Sequence, residues 1–186
     1  MRLFAAVVPP PEVMDELALT AVPLRALDEA DRLRWTDRAG WHITLAFYGE
    51  VDGHQLPALF DGLADAARAG GPLTLRLAGS GDFAGRHLWA GVEGDTAELA
   101  ELAAGSVTAG RAAGAPGGDA YDAYRPHLTL ARARPGAPLD RWRTALAGFR
   151  GGTWTADRLT LMRSETLPEG ARYTTVGEWP LGGVLE

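Results

Sequence analysis

The sequence contains neither cysteine nor lysine, since all 18 basic residues among its 186 are arginine. Without thiols, disulfide frameworks, thiolate nucleophiles and cysteine-based zinc or iron–sulfur sites are excluded. Without lysine, Schiff-base catalysis and the lysine of a P-loop are excluded as well. No apolar run approaches the roughly 20 residues that a membrane-spanning helix requires. The apolar N-terminal stretch stops at Pro9, too early for a secretory signal, and we expect a cytoplasmic protein.

Hydrophobic residues make up 46 % of the chain, which suffices for a packed core. The length predicts one domain over residues 1–186, and no apolar surface pattern demands a partner, so we expect a monomer. The net charge of −6 argues against coating long nucleic acid. The segment 125–150 nevertheless carries six arginines and a single acid, Asp140. A local basic surface on an acidic protein suits a small anionic ligand or a nucleic-acid end.

The spacing of apolar residues predicts secondary structure along the whole chain. Four helices are expected at 11–27, 54–69, 95–112 and 139–148. Eight strands are expected at 2–8, 32–36, 41–49, 73–77, 87–93, 126–133, 153–164 and 172–179. Strands often follow strands directly, which favours an α+β fold with antiparallel pairing over a doubly wound sheet.

One short motif occurs twice in the chain and contains residues suited to catalysis. The stretch His42-Ile43-Thr44-Leu45-Ala46 is matched by His127-Leu128-Thr129-Leu130-Ala131, which begins 85 residues later. Side chains at i and i+2 share a face of a strand, so each histidine lies beside its threonine while the aliphatic residues face the core. Two such strands facing each other would place two imidazoles and two hydroxyls around one cavity.

Two histidines suit acid–base chemistry at neutral pH, because an unperturbed pKa near 6.5 lets one act as base and the other as acid. Threonine hydroxyls can bind phosphate oxygens without adding charge. The pattern therefore predicts phosphodiester cleavage by an in-line water. The four histidines lack the spacing of a zinc site, so we expect neither metal nor cofactor. The alternative is a duplicated fold that retains two structural motifs.

Several segments in a fixed order resemble a known family. They are Arg2–Ala6, Arg34-Trp35, His42–Gly49, Leu88–Val92, Pro126–Arg132 and Arg163-Ser164. In this order they resemble the two-histidine phosphoesterase superfamily, and within it the RNA 2′,3′-cyclic phosphodiesterase or 2′-5′ RNA ligase family. The resemblance implies a bilobal α+β fold with pseudo-twofold symmetry and motif halves at about 1–94 and 95–186. Duplicated antiparallel sheets would enclose a central cleft, with helices packed outside.

The resemblance also implies an activity on RNA 3′ ends or oligonucleotides that carry a 2′,3′-cyclic phosphate, which would be opened to a 2′-phosphate. His127 would be the general base that activates water, and His42 the acid that protonates the leaving 3′ oxygen. Thr44 and Thr129 would bind the phosphate. The reverse reaction, formation of a 2′-5′ RNA bond, is also implied.

Further residues are candidates for substrate contact. The resemblance implies this role for Arg132, although strand alternation places it opposite His127 unless the strand ends or bulges near 131. Trp35 and Tyr173 are candidates for base stacking, with core packing as the alternative. Alternation places Tyr48 on the His42 face, where it would shape the nucleotide pocket. Alternation also places Ala46 and Ala131 beside the histidines, where their small side chains would leave room for a ligand.

Three other functions remain open at this point. The chain could be a phosphodiesterase of another small cyclic nucleotide or of a cyclic ADP-ribose phosphate. It could bind RNA ends without turnover, using both motifs to hold phosphate. It could also be a structural protein with histidine-bearing strands, which would have no affinity for phosphate.

Overall fold

The computed structural model describes residues 1–117 and 123–183, which form an antiparallel sheet with four α-helices on one side. The strands are β1 (Arg2–Val7), β2 (Leu33–Trp35), β3 (Ile43–Glu50), β4 (Leu73–Phe83), β5 (His87–Gly94), β6 (His127–Ala133), β7 (Arg150–Ala156), β8 (Arg158–Leu167) and β9 (Gly170–Pro180). The helices are α1 (Pro11–Arg25), α2 (Leu56–Ala69), α3 (Thr96–Ala112) and α4 (Asp140–Leu146). Within the described ranges no helix is long and apolar enough to cross a membrane.

The sheet has the strand order β7-β4-β5-β6-β3-β1-β8-β9, with β2 paired to β6. Strands β3 and β6 meet at only one residue pair, Ile43 opposite Leu128, which we call the seam. The seam divides the sheet into one lobe with β3, β1, β8 and β9 and a second with β6, β5, β4 and β7. Each lobe contributes one histidine motif, which confirms the α+β bilobal fold.

The two lobes do not follow the two halves of the chain. Strands β4 and β5 precede residue 95 but lie in the lobe of β6, whereas β8 and β9 follow it but lie in the lobe of β3. The exchange arises because the N-terminal strand β1 is central and pairs with both β3 and β8. The division near residue 94 therefore describes the motif halves rather than the lobes.

The two faces of the sheet are unlike. All four helices contribute buried side chains, such as Leu17, Leu63, Leu99 and Trp142, to one large core. The opposite face holds a small second cluster of strand residues, made by Phe4, Ala6 and Met162 with Tyr173 against them. Alternation along β1 therefore sends its side chains into two separate apolar clusters. The second cluster forms the floor of the cleft described below.

Most predicted elements are present, and two strand predictions need correction. The stretch 153–164 was expected as one strand, but it belongs to β7 and β8, which are separated at Asp157. No glycine or proline marks that break. Strand β4 continues to Phe83 instead of ending near 77, because Gly81 accommodates the indole ring of Trp89 across the ladder. A Cβ atom at Gly81 would overlap that ring.

Close packing of α2 on α3 depends on Gly62, where a Cβ atom would lie 2.7 Å from the Cβ and 2.9 Å from the Cα of Ala109. Gly62→Val is expected to lower the free energy of unfolding by about 1–3 kcal/mol, because the helix backbones must separate. Denaturant unfolding measures the change. Gly148→Val is the control, since nothing lies within 4 Å of a Cβ there. Equal stability of the two variants would contradict the close packing.

Candidate active site

The seam brings the two histidine motifs together. His42 immediately precedes β3 and His127 begins β6. When the seam register is continued by one residue in each direction, His42 lies opposite Thr129 and Thr44 lies opposite His127. Directly opposed residues of antiparallel strands have Cβ atoms about 4.5–5.5 Å apart. The four side chains singled out by the sequence therefore occupy one small area.

Each of these histidines is anchored to a backbone group two residues upstream. The Nδ1 atom of His127 lies 2.7 Å from the carbonyl oxygen of Arg125, and His42 bonds to the backbone of Gly40. A carbonyl oxygen can only accept, so Nδ1 of His127 carries the proton and donates it. Its Nε2 atom is then left with a free lone pair, which is the form that a general base requires.

Aromatic rings flank both imidazoles. The ring centroid of His42 lies 4.6 Å from that of Phe4 and 5.8 Å from that of Tyr173. The ring of His127 lies 4.7 Å from Phe83, edge to face, and 5.9 Å from Trp89. These rings fix the two imidazoles and remove water from around them. Of the four, only Tyr173 was predicted as a site residue, because the other three resemble ordinary core positions of strands.

Burial changes the acid–base properties of both histidines. The pKa of His42 is lowered to about 4, chiefly by burial; the bond to Gly40 opposes this effect, and the charge of nearby His127 adds a smaller lowering. Burial and the charge of His87 also hold the pKa of His127 below its ordinary value, against the bond to Arg125. Both rings are therefore neutral at pH 7 in the free protein. A bound phosphate anion would favour protonation of His42.

Both motif strands contain a β-bulge at the same place in the repeated sequence. The register of β3 with β1 skips Leu45, and the register of β6 with β5 skips Leu130. Each bulge reverses the alternation of the residues that follow it. Ala46 and Ala131 are consequently buried in the large core on the helix side. The prediction that these alanines leave room beside the histidines is wrong.

The first bulge also reverses the placement of Tyr48. Its side chain is buried against α3, where its hydroxyl donates to the carbonyl oxygen of Ser106 at 2.9 Å. The prediction that Tyr48 shapes the nucleotide pocket is therefore wrong. Phe47 takes that face instead, with its ring centroid 6.1 Å from that of Phe4 and its side chain 51 % exposed. Strict alternation could not have identified Phe47.

The second bulge places Arg132 on the histidine face. Arg132 lies opposite His87, and Thr129 lies opposite Trp89, so the bulge at Leu130 lets both β6 residues share one face. Strand alternation alone predicts the opposite face for Arg132 unless the strand bulges near 131, and the bulge at Leu130 is such an irregularity. Arg132 is exposed and stands at the edge of the cleft.

Trp35 is not brought to the histidines. It pairs with Ala131 and packs on the large core at the helix side. Its indole nitrogen donates to the carbonyl oxygen of Ala30 at 3.0 Å, and the guanidinium of Arg25 lies 5.5 Å from its ring centroid. Tyr173, the other residue considered for stacking, does lie in the cleft beside His42.

The basic segment 125–150 does not form one continuous surface. Arg143 pairs with Asp82 and Asp140, and Arg141 donates to the carbonyl oxygen of Asp28. These two side chains are therefore engaged by the protein itself. In residues 1–117 and 123–183 no three histidine, aspartate or glutamate side chains stand close enough to hold a metal ion.

Tyr124 connects the two motifs. Its hydroxyl donates to the carbonyl oxygen of Thr44 at 2.6 Å, and the N–H of Gly117 donates to that of Tyr48 at 2.9 Å. Beyond the seam β3 has no pairing with β6, so these two bonds satisfy its free edge. Tyr124 stands just before the second motif and holds the backbone of the first.

Tyr124→Phe is expected to lower kcat several-fold, because the lost hydrogen bond, worth about 1 kcal/mol, no longer fixes Thr44. Steady-state kinetics and thermal unfolding together measure the effect. Tyr48→Phe is the matched control, since it removes the same kind of bond on the helix side of the sheet. The control should lose stability and keep its turnover. If both variants lose turnover equally, Tyr124 has no positioning role.

Comparisons with known proteins agree with this geometry. Residues 11–167 match the family model of the 2′-5′ RNA ligase superfamily. An RNA 2′,3′-cyclic phosphodiesterase from Thermus thermophilus is 31 % identical, covering 98 % of this chain and 91 % of the relative. The crystal structure of TT0787 of Thermus thermophilus superposes with a TM-score of 0.78 at 29 % identity, covering 98 % of this chain and 99 % of that one.

A second solved structure, E. coli LigT complexed with 3′-AMP, is 26 % identical with a TM-score of 0.72 and covers 97 % of this chain and 96 % of its own. The prediction of an enzyme of this family is confirmed by the family match and the phosphodiesterase relative. The match spans both histidine motifs and the strands that carry them. The chain belongs to the 2′-5′ RNA ligase superfamily.

Proposed function

We propose that this protein hydrolyses the 2′,3′-cyclic phosphate at RNA 3′ ends and leaves a 2′-phosphate. The observation that carries the proposal is the pair of backbone-anchored histidines on either side of the seam, each one residue away from the single pair Ile43–Leu128. The phosphodiesterase relative acts, by its name, on RNA 2′,3′-cyclic phosphates. The E. coli relative holds a 3′-phosphorylated nucleotide. Both point to a nucleotide phosphate as the ligand of this cleft.

In the proposed reaction the Nε2 atom of His127 takes a proton from a water molecule. The water oxygen attacks phosphorus in line with the bond to the 3′ oxygen, and that bond breaks. His42 gives its proton to the departing 3′ oxygen, so the product carries a 2′-phosphate and a free 3′ hydroxyl. The hydroxyls of Thr44 and Thr129 donate to the non-bridging oxygens. If the 5′ hydroxyl of a second RNA attacked in place of water, His127 would take its proton, His42 would again protonate the 3′ oxygen, and the two RNAs would be joined through a 2′-5′ bond.

His42 can act as the acid near neutral pH only if bound substrate raises the pKa of His42. The pKa of His42 in the free protein is about 4, so the ring is mostly neutral at pH 7. The cyclic phosphate carries one negative charge, and an opposite charge within about 4–6 Å raises the pKa of a histidine. Substrate binding would therefore protonate the acid at the place where the leaving oxygen needs it.

The deciding experiment is hydrolysis of a 2′,3′-cyclic mononucleotide in EDTA, with the product identified by phosphorus NMR. We expect a 2′-phosphate and no requirement for added metal. A 3′-phosphate product would overturn the regiochemistry. Tight binding without turnover would favour a protein that only binds RNA ends. Turnover of other small cyclic phosphates but no RNA end would favour a different phosphodiesterase.

The pH dependence should separate free and substrate-bound protein. A plot of kcat/KM is expected to be bell-shaped with its maximum below pH 6.5, because burial lowers the pKa of both His127 and His42. The acid limb reports protonation of the base, and the alkaline limb reports loss of the proton from the acid. The maximum of kcat should lie at higher pH, since the bound phosphate raises the pKa of His42. Coincident maxima would contradict this assignment.

A further inference from the structure

A row of three nitrogen-rich side chains crosses the sheet beside the proposed catalytic centre. Arg34 of β2 lies opposite Arg132 of β6, which lies opposite His87 of β5. We call these three residues the basic row. Paired residues of an antiparallel ladder point to the same face, and His87 shares its face with Trp89 by alternation. The basic row therefore lies on the face of His127.

The basic row has the charge of an unfilled anion site. Like charges directly opposite one another destabilise a sheet, so an anion bound between Arg34 and Arg132 would relieve their repulsion. Of the 16 other arginines, seven pair with carboxylates among the described residues, namely Arg32, Arg38, Arg68, Arg143, Arg150, Arg158 and Arg163. In the part of the chain that the structure describes, neither Arg34 nor Arg132 forms an ion pair.

His87 repeats the anchoring seen for the other two cleft histidines. It bonds to the backbone of Phe83, which leaves its second ring nitrogen for another partner. Burial first, and then the guanidinium of Arg132, lower the pKa of His87. His87 is therefore neutral at pH 7 in the free protein, and its single N–H is donated to the backbone of Phe83. A phosphate held by the two arginines would favour protonation of the second ring nitrogen, which could then donate to the anion.

The basic row stands at a useful distance from the proposed phosphate site. Thr129 lies opposite Trp89, and the row lies opposite His87, two residues further along β5. Two strand residues span about 7 Å. This separation is comparable to one backbone repeat of an extended nucleic-acid strand. An anion in the basic row would thus be the phosphate next to the one that Thr129 holds.

From this geometry we infer that the basic row binds the bridging phosphate on the 5′ side of the terminal nucleotide. The inference rests on the proposed function and extends it: the preferred substrate is an oligonucleotide with a cyclic phosphate end rather than a mononucleotide. Arg34 and His87 are then substrate-binding residues outside both repeated motifs.

The test compares two dinucleotides that end in the same 2′,3′-cyclic phosphate. One has an ordinary bridging phosphate, and the other has a neutral methylphosphonate bridge, so the two differ in one charge. The wild type is expected to have a kcat/KM about tenfold higher for the charged bridge, the gain typical of a charge-assisted hydrogen bond. Arg34→Gln and His87→Gln should each lower that ratio to about threefold or less.

Arg111→Gln, which removes one charge from the last turn of α3, is the control and should keep the wild-type ratio. A wild-type ratio near one would overturn the inference, as would equal ratios in the control and the two row variants. If the wild type turns over neither dinucleotide, the proposed function fails. The same ratio is then read from the Kd values of the two dinucleotides by calorimetry, so the basic row is tested in either case.

Discussion

His127→Ala and His42→Ala are each expected to lower kcat for a 2′,3′-cyclic phosphate by about 10²- to 10⁴-fold, the range for loss of a general base or acid. Both rings stand at the seam and are held by backbone groups, so their removal leaves strands β3 and β6 paired as before. The rates are measured under steady-state conditions. His54→Ala, at an exposed position in a turn, is the control and should retain the wild-type rate.

The two roles can be separated with a nitrophenyl phosphodiester, whose leaving group departs without a proton. On this substrate His42→Ala should recover most of its lost rate, because no general acid is needed. His127→Ala should remain slow, because the water must still be activated. Equal losses on both substrates would contradict the assignment of His42 as the acid.

Phe4→Ala is expected to have the largest effect on stability, about 3–5 kcal/mol, because Phe4 is 3 % exposed and central to the smaller apolar cluster. The same change should raise the pKa of His42 from about 4 toward its ordinary value, since the ring of Phe4 keeps water from the imidazole. Denaturant unfolding measures the first effect, and NMR titration of the ring measures the second. Phe4→Leu, which keeps the burial, should leave the pKa low.

The pH dependence of the free energy of unfolding also reports how far burial lowers the pKa of His42. The folded protein keeps His42 neutral down to about pH 4, whereas the unfolded chain binds this proton near pH 6.5. The wild type should therefore lose on the order of 1–2 kcal/mol of stability between pH 7 and pH 5. Phe4→Ala should show a smaller loss over this range. An unchanged slope would mean that Phe4 does not keep water from His42.

The sequence predicted what depends on local pattern. The period of two placed each histidine beside its threonine, and the repeat of five residues identified two equivalent strands. The period of two gave wrong faces for the residues after the bulges. The positions of the bulges, at Leu45 and Leu130, depend on pairing with β1 and β5, which are distant in the chain. Tyr48 was misplaced for that reason.

The aromatic surroundings of the histidines were hidden for another reason. Phe4 and Phe83 are distant in the chain from the histidines that they contact. The sequence of a strand does not indicate which apolar cluster each of its residues will join. Trp35 is the opposite case: the sequence left base stacking and core packing open for this residue, and it packs on the main core. Pairing between strands, rather than local composition, decides these placements.

The paired bulges have a consequence for how a ligand can lie in the cleft. In both motifs the residue five places after the histidine is turned toward the cleft, but it is Phe47 in one copy and Arg132 in the other. The two motif strands thus have equivalent backbones, but they give the cleft an aromatic side chain at one end and a cationic side chain at the other. A molecule with a flat ring at one end and negative charge at the other has a single favourable orientation there. We therefore expect the difference between Phe47 and Arg132 to set the direction in which the substrate binds.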